Sequence, residues 1–394
     1  MLNEKMLQLG TKSSVIREIF EYAKKRRAEI GDDKVFDFSI GNPSIPAPQS
    51  VTDAIERLCR EKDPVALHGY TSAVGDLGVR TKIADYIKSQ FGVEASANQI
   101  YMTCGAAASL TITLNAIINS GDEVVVLAPF FPEYRVFAEK AGAKLCVVKC
   151  REEDFQIDFE ALSKAINEKT KAIIVNSPNN PTGVVFSKET VEKLAVLLKE
   201  KQQEYNKTIF LIADEPYREL AYGVEVPYLP SFYDNTVVCY SYSKSLSLPG
   251  ERIGYIFVPS SVCESGKVYA AVCGAGRALG FVCAPSLLQY VIGECIGETS
   301  DVSIYKNNRD IFYNALTAMG YKVAKPDGAF YLFMKALEED ANAFCEKAKK
   351  YELLLVPSDS FGYEGYVRIA YCLNEDQITR ALPAFEALIK EYQE

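Results

Sequence analysis

The sequence lacks tryptophan and is poor in histidine, and the shortage of histidine excludes several kinds of site. Its 394 residues include no tryptophan and a single histidine, His68. A Ser-His-Asp or Cys-His catalytic group would therefore have to use His68, and a metal site built from several histidines is excluded. The eleven cysteines are scattered and form no C-x-x-C pair. We therefore expect no metal site, and free thiols in a reducing cytoplasm.

Two further shortages concern membranes and nucleic acids. No stretch approaches the roughly 18 consecutive apolar residues of a membrane span, and residues 1–10 hold no apolar run that would mark a signal peptide. The formal net charge is −9, which disfavours binding to a polyanion by counterion release. The basic run at residues 24–27 has acidic neighbours and is interpreted as a solvated helix face. We expect an acidic cytoplasmic protein without membrane or nucleic-acid partners.

The pattern of apolar residues predicts an α/β fold. Apolar residues make up 48% and charged residues 24%, as in ordinary globular proteins, and the length suits a large domain with a smaller partner. Short, almost wholly apolar runs alternate with helical stretches, which is typical of parallel strands covered by helices. The runs are residues 123–127, 144–148, 172–175, 209–213, 237–240 and 253–258. Ser187 is suited to begin a helix in which residues 191, 194 and 198 are apolar.

The chain after about residue 290 has a different pattern. Helices and strands alternate there after a break, which predicts a smaller α+β domain to which we expect the N-terminal segment to return.

Polar residues that are unusual for buried structure follow the predicted strands, where open α/β sheets bind ligands. In SYSKSLSLPGER, residues 241–252, Lys244 follows a strand, with serines around it and Arg252 eight residues later. A partly buried lysine has a lowered pKa and offers a neutral amine for a Schiff base. Hydroxyl and guanidinium groups suit a phosphate. Taken alone, a surface loop with a solvated lysine is the simpler interpretation.

Three other segments alter that balance. The apolar run at residues 209–213 continues into Asp214, the acidic end of this predicted strand and the first residue of the sequence DEPY. A buried carboxylate needs a partner, such as a protonated heterocyclic nitrogen. NNPTG at residues 179–183 follows another strand. CGAAAS at residues 104–109 offers backbone N–H groups at a helix N-terminus, which suits an anion. Separately, these segments also fit a structural ion pair, a turn and an ordinary helix start.

Together, the motifs resemble those of the class I and II aminotransferases, fold-type-I enzymes such as aspartate aminotransferase that depend on pyridoxal 5'-phosphate. S-x-S-K followed by P-G-x-R-x-G-Y is specific, and the match runs in family order from Gly41 to Arg368. The resemblance implies a large domain, residues 46–290, with a mostly parallel seven-stranded sheet between helices. It implies a smaller α+β domain made of residues 1–45 and 291–394.

The resemblance also implies roles for individual residues around the cofactor. Lys244 would hold pyridoxal phosphate as an internal aldimine and then carry a proton, while Asp214 would keep the pyridine nitrogen protonated. Tyr217 and Asn180 would donate hydrogen bonds to the phenolate oxygen of the ring. Phe131 would stack on the ring, where some members have tryptophan. The implied phosphate cradle comprises Ser241, Ser243, Arg252 and the backbone of Gly105, Ala106 and Ala107.

Other residues are implied in binding the substrate and a second subunit. Arg368 would clamp the substrate α-carboxylate with its planar fork, and Gly41 and Asn180 would adjoin the same group. Tyr70 would reach the phosphate from the neighbouring subunit, so the resemblance implies a homodimer. Arg277 lies within a residue or two of the place where dicarboxylate-specific relatives hold a second arginine, although an interface ion pair fits it equally well.

The implied activity is amino transfer from an L-amino acid to a 2-oxo acid such as 2-oxoglutarate. It would follow a ping-pong cycle through pyridoxamine phosphate. Aspartate is weakly preferred as donor, with aromatic amino acids or alanine close behind. A C–S β-lyase or another fold-type-I enzyme stays an alternative, because the anchoring residues are shared. A non-enzymatic cofactor sensor is disfavoured, because the sequence shows no helix-turn-helix and no missing catalytic residue.

Overall fold

The computed structural model describes residues 2–11 and 15–393. The helices in these ranges are α1 (Glu4–Thr11), α2 (Val15–Ile30), α3 (Gln49–Glu61), α4 (Pro64–His68), α5 (Leu77–Phe91), α6 (Ala106–Ile117), α7 (Glu133–Lys140), α8 (Phe159–Ala165), α9 (Lys188–Tyr205), α10 (Tyr242–Ser245), α11 (Ser265–Ala278), α12 (Ser286–Glu294), α13 (Val302–Met319), α14 (Ala341–Ala348) and α15 (Glu375–Glu391). The strands are β1 (Phe36–Asp37), β2 (Ile100–Thr103), β3 (Glu123–Ala128), β4 (Lys144–Lys149), β5 (Thr170–Asn176), β6 (Phe210–Asp214), β7 (Thr236–Ser241), β8 (Gly254–Phe257), β9 (Val323–Ala324), β10 (Tyr331–Lys335), β11 (Leu353–Leu354), β12 (Val356–Pro357) and β13 (Tyr366–Ala370).

A seven-stranded sheet forms the centre of the molecule, in the order β2-β8-β7-β6-β5-β3-β4. Neighbouring strands in the part β7-β6-β5-β3-β4 pair in parallel, whereas β8 runs antiparallel to both of its neighbours, β2 and β7. Alternate residues of β3 enter two different apolar cores: Val125 packs in one and Val124 in the other. Both faces of the sheet are therefore covered, which explains the almost wholly apolar strands. The predicted mostly parallel, seven-stranded α/β fold is confirmed.

The covering helix α9 begins where the sequence predicts. Ser187 Oγ accepts a hydrogen bond from the N–H of Thr190 at 3.1 Å, which satisfies a donor that the first helical turn leaves free. Val191, Leu194 and Leu198 are buried on one face of α9. The capped start and the apolar face together fix the helix against the sheet.

A smaller antiparallel sheet follows, in the order β12-β13-β10-β9, and packs with α13, α14 and α15 around a separate apolar core. The N-terminal segment returns to this part of the chain, because β1 pairs in parallel with β11, placing Phe36 opposite Leu353. Arg368 lies in the middle of β13, opposite Phe333 of β10. The division into residues 46–290 and residues 1–45 with 291–394 stays a prediction.

Within residues 2–11 and 15–393, no helix combines the length and apolar character needed to cross a membrane. Over the same ranges, no group of three or more histidine, cysteine, aspartate or glutamate side chains is arranged to hold a metal ion.

The parallel register of β5, β6 and β7 prepares a polar edge. Asn176 at the end of β5 lies opposite Asp214 at the end of β6. Ser241 ends β7, and that strand pairs in parallel with β6. Because parallel strands end at the same edge of a sheet, these three polar residues are brought to one side of the molecule.

Candidate active site

A cavity of about 360 Å³ lies at this edge of the sheet, within the usual size range of small-molecule sites. The structure brings most of the predicted site residues together around it. They are Gly41, Ala106, Ala107, Phe131, Asn180, Asp214, Tyr217, Ser241, Ser243, Lys244, Arg252 and Arg368. The remaining lining residues are Ile16, Ile40, Leu110, Asn176, Pro216, Pro249 and Tyr331.

Lys244 projects into the cavity from the short helix α10. Its Nζ donates a hydrogen bond to the carbonyl oxygen of Gly41 at 2.7 Å. Burial, above all, lowers the pKa of Lys244 from 10.5 to about 8, and the guanidinium groups of Arg368 and Arg252 act in the same direction. An appreciable fraction of this amine is therefore neutral near physiological pH and available as a nucleophile or base.

Asp214 is a buried carboxylate with one unused oxygen. Only 4% of the residue is exposed. Oδ2 accepts a hydrogen bond from the hydroxyl of Tyr134, but Oδ1 has no hydrogen-bond partner among the described residues. Burial raises the pKa of Asp214 to about 7, against the opposing effect of the Tyr134 hydrogen bond. A buried oxygen of this kind suits a cationic or N–H donor in the cavity.

Asn176 fixes the backbone around Asp214. Its Nδ2 donates to the carbonyl oxygen of Asp214 at 2.9 Å, and its Oδ1 accepts from the N–H of Asn180 at 2.8 Å. One amide side chain therefore joins the end of β6 to the loop at residues 179–183, and holds Asp214 and Asn180 in a fixed relation.

A buried ion pair supports the turn that follows Asp214. Arg218 Nε donates to Glu215 Oε2 at 2.7 Å, and a second guanidinium nitrogen donates to Oε1 of the same carboxylate. The guanidinium carbon lies 5.3 Å from the ring centroid of Phe91 and 4.9 Å from that of Tyr228, and these two rings stack on each other. This bidentate pair constrains the turn that also carries Tyr217.

Two serines, an arginine and a helix N-terminus form one anion-binding corner of the cavity. The hydroxyl oxygens of Ser241 and Ser243 are 2.7 Å apart, and Arg252 Nη1 lies 3.4 Å from Ser243 Oγ. Gly105 precedes α6 with φ +88°, and a Cβ atom there would lie 2.8 Å from Arg252 Nη2. The positive φ favours glycine at this position, and a larger residue would in addition push the guanidinium away from the first turn of α6. Free N–H groups, hydroxyls and a positive charge together suit a phosphate.

Arg368 forms a second anion-binding corner. It is 2% exposed, and it donates hydrogen bonds to Asn180 Oδ1 at 3.2 Å and to the carbonyl oxygen of Ser39. Its Nε has no hydrogen-bond partner among the residues that the structure describes. Because the hydrogen-bond acceptors of this buried guanidinium are neutral oxygens, its charge is available to a carboxylate ligand.

Tyrosine and glycine form the wall between these groups. The hydroxyl oxygens of Tyr217 and Tyr331 are 3.0 Å apart. Burial raises the pKa of Tyr217 well above its ordinary value, so this phenol stays a protonated donor. A Cβ atom on Gly41 would lie 2.0 Å from the Tyr331 hydroxyl, so no larger residue fits there without displacing it. Phe131 lines the same cavity and meets the Tyr134 ring edge to face.

Two of the predicted residues lie apart from the cavity of this chain. Tyr70 is 98% exposed, and Arg277 is exposed in the last turn of α11. Neither lines the cavity. Gly105 does not line the cavity either, but it packs against Arg252, which does. The roles of these residues, and those of the residues in the cavity, stay predictions.

Three polar residues in or beside the cavity were not predicted. Asn176 had a usable signal, because it ends an apolar strand as Asp214 does. Tyr134 follows Phe131 by three residues, yet nothing in that spacing indicates a contact with Asp214, which is eighty residues away in the chain. Tyr331 lies in an aromatic strand where its neighbours belong to the apolar core, so its polar contact is visible only in the folded chain.

Comparison with known proteins places the chain in a family. The sequence model described as aminotransferase class I and II matches residues 33–385. The probable aspartate aminotransferase of Methanocaldococcus jannaschii is 31% identical, over 96% of this chain and 97% of that protein. An amino transferase structure from Eubacterium rectale has a TM-score of 0.98 at 56% identity and covers both chains completely. The aspartate aminotransferase from Thermus thermophilus with maleate has a TM-score of 0.87 at 26% identity, over 98% of this chain and 99% of that one.

Asp214→Asn is expected to remove the pH-dependent loss of folding stability that the buried Asp214 carboxyl causes in the cofactor-free protein. Burial in the folded chain raises the pKa of this carboxyl from its ordinary value of 3.8 to about 7. The folded state therefore loses stability as the pH rises through this window, and a neutral amide avoids the loss. The free energy of unfolding, measured with urea, should be higher in Asp214→Asn than in the unaltered protein. This difference should be about 2 kcal/mol larger at pH 8 than at pH 5. An equal effect at both pH values would contradict the assigned environment.

Proposed function

The chain belongs to the class I and II aminotransferases, which depend on pyridoxal phosphate, and we propose that it moves an amino group from an L-amino acid to a 2-oxo acid at the cavity around Lys244. One observation carries the proposal. The cavity is lined by an amine with a lowered pKa and by a buried carboxylate whose Oδ1 has no hydrogen-bond partner among the described residues. It also has two separate corners that suit anions. This set of groups matches a charged heterocycle that bears a phosphate, together with a substrate carboxylate.

The residues present fit the cofactor. Pyridoxal phosphate, when bound, supplies an electron sink that stabilises negative charge at the substrate Cα. The unused Oδ1 of Asp214 would accept a hydrogen bond from the protonated ring nitrogen. Ser241, Ser243, Arg252 and the N–H groups at the start of α6 would hold the phosphate. Phe131 would cover one face of the ring.

Lys244 has two roles in this proposal. Its amine would hold the cofactor covalently, and once substrate has replaced it there, the same amine would move a proton at the substrate Cα. A base with a pKa near the working pH is effective in this task, and burial gives Lys244 a pKa of about 8. Tyr217 and Asn180 would donate hydrogen bonds to the ring oxygen, which fixes the ring while the proton moves.

The substrate carboxylate would bind at Arg368. The free Nε–H and the neutral partners of its other nitrogens leave this guanidinium able to receive a carboxylate. Gly41 adjoins the same corner, and its missing side chain leaves room beside Tyr331. Because one clamp serves both the amino acid and the 2-oxo acid, we propose that they bind in turn in a ping-pong cycle. The second substrate would be 2-oxoglutarate or a similar 2-oxo acid.

The substrate side chain is the least constrained part of the proposal. Aspartate is our first choice, and it rests on Arg277, which would have to reach the site of a neighbouring subunit because it is exposed in its own chain. The cavity wall supplied by one chain favours a different class. Ile16, Ile40 and Leu110 line it with apolar surface, which suits an aromatic amino acid or alanine.

A homodimer and a cytoplasmic location complete the proposal. Tyr70 is an aromatic side chain that is almost fully exposed in the single chain, which supports a role at the active site of a neighbouring subunit. The eleven cysteines are all free, as is usual in a reducing compartment.

Lys244→Ala is expected to abolish covalent attachment of the cofactor and to lower amino transfer by about 10²- to 10⁴-fold, the range of a general acid–base group. Covalent attachment is measured by reducing the enzyme–cofactor complex with borohydride, denaturing it, and recording the absorption that stays with the protein. Amino transfer is measured as product formation from an amino acid panel. Lys267→Ala removes an exposed lysine and should change neither. Retained covalent cofactor in Lys244→Ala would refute the assignment.

Arg277→Leu tests the choice of substrate. If Arg277 binds the side-chain carboxylate, kcat/KM for aspartate should fall by about 30-fold or more, while the value for alanine stays within about twofold. Arg277→Lys keeps the charge but not the planar fork, so its kcat/KM for aspartate should lie between those of the unaltered protein and Arg277→Leu. Equal losses for aspartate and alanine would exclude this role, and would leave the apolar lining as the guide to the substrate.

A further inference from the structure

Tyr331 contacts two groups with different proposed tasks. It begins β10, is 3% exposed and lines the cavity. Its hydroxyl oxygen lies 3.0 Å from that of Tyr217, and the face of its ring lies 4.7 Å from the guanidinium carbon of Arg368. One side chain thus joins the donor proposed for the cofactor ring oxygen to the arginine proposed for the substrate carboxylate.

The hydroxyl pair has a defined direction when the cofactor is bound. Each phenol donates one hydrogen bond and accepts others. Burial raises the pKa of Tyr331 to about 12 and that of Tyr217 well above its ordinary value, so both hydroxyls are protonated at neutral pH. If Tyr217 directs its proton to the ring oxygen of the cofactor, its own oxygen accepts from Tyr331. A hydroxyl that accepts a hydrogen bond is polarised into a stronger donor.

The ring of Tyr331 acts on Arg368. The guanidinium carbon lies over this ring and also over the ring of Phe361, whose centroid is 5.2 Å away. Such stacking stabilises a buried positive charge and restricts the plane of its fork. The Tyr331 hydroxyl also packs against Gly41, where any Cβ atom would collide with it. The ring is therefore held in place from the side of the cavity.

We propose that Tyr331 is a positioning residue with two separable actions: its hydroxyl directs the Tyr217 proton toward the cofactor ring oxygen, and its ring orients Arg368 for the substrate carboxylate. The inference rests on the proposed function, because both targets are groups that an aminotransferase site would bind. It assigns to one side chain the connection between the cofactor and the carboxylate clamp.

The two actions are separated by Tyr331→Phe and Tyr331→Leu in the enzyme loaded with pyridoxal phosphate. Tyr331→Phe removes only the hydroxyl. It should raise the pH midpoint at which the visible band of the bound cofactor changes form by about 0.5 to 1 unit, the effect of one ordinary hydrogen bond. The Kd of propionate, a carboxylate without an amino group, should stay within about twofold, because the ring that stacks on Arg368 is retained.

Tyr331→Leu removes the ring as well. It should shift the midpoint in the same direction. It should also raise the Kd of propionate by about tenfold, the effect of losing a desolvated cation–π contact. Tyr321→Phe is the matched control. It deletes another buried hydroxyl, one that donates to the carbonyl oxygen of Phe385 within the core of the small sheet, and it should change neither quantity.

The outcomes distinguish this inference from the function on which it rests. A midpoint in Tyr331→Phe equal to that of Tyr321→Phe would overturn the role of the hydroxyl. Unchanged propionate binding in a folded Tyr331→Leu variant, checked by thermal melting, would overturn the role of the ring. If Tyr331→Leu does not fold, weakened propionate binding in Tyr331→Phe would overturn the claim that the hydroxyl and the ring of Tyr331 act separately. No visible band in the unaltered protein would refute the proposed function itself.

Discussion

The site depends on the shared register of β5, β6 and β7. Because these strands run parallel and are covered on both faces, their carboxyl ends meet at one edge, and Asn176, Asp214 and Ser241 end the three strands there. The apolar interior of the sheet supports polar groups that are costly to bury. Among the described residues Asp214 Oδ1 has no hydrogen-bond partner, and burial raises the pKa of this carboxyl to about 7. The structure thus holds a carboxylate in an environment that favours a bound cation.

The same principle applies across the cavity. Lys244 and Arg368 carry positive charge into surroundings that supply mainly neutral acceptors, such as the carbonyl oxygen of Gly41 and the amide oxygen of Asn180. Both groups are therefore destabilised while they are charged and uncompensated, and both gain from an anionic or covalent ligand. Burial at an active site commonly has this double effect, since it lowers the stability of the free protein and strengthens the electrostatic interactions with what binds. Tyr331 joins the two sides of the cavity, because its hydroxyl contacts Tyr217, proposed to meet the cofactor, and its ring contacts Arg368, proposed to bind the carboxylate.

Much of the fold and of the site could be predicted from sequence, for identifiable reasons. Strands buried on both faces give uninterrupted apolar runs, and Ser187 combines a suitable capping group with apolar residues at helical spacing, so these elements have local signals. The motifs around Asp214 and Lys244 are local as well, and the structure places both residues in one cavity. The antiparallel direction of β8 had no such signal, because strand direction depends on the path of the chain between strands. The contacts of Tyr134 and Tyr331 join distant segments, and Ile16 lines the cavity from the N-terminal helix α2. The roles proposed for Tyr70 and Arg277 involve a second subunit, and the position of a second subunit has no local signal in the sequence.

The central claim is that Lys244 and Asp214 form an aminotransferase centre, and the visible absorption spectrum of the purified protein tests it most directly. The spectrum would be recorded with pyridoxal phosphate, then after adding aspartate, with alanine and phenylalanine in parallel, and finally after adding 2-oxoglutarate. If Lys244 and Asp214 form such a centre, a yellow band should appear, bleach with at least one of these amino acids and return with the 2-oxo acid. The assignment would be wrong if no band formed after the addition of pyridoxal phosphate, or if a band formed that none of the three amino acids altered.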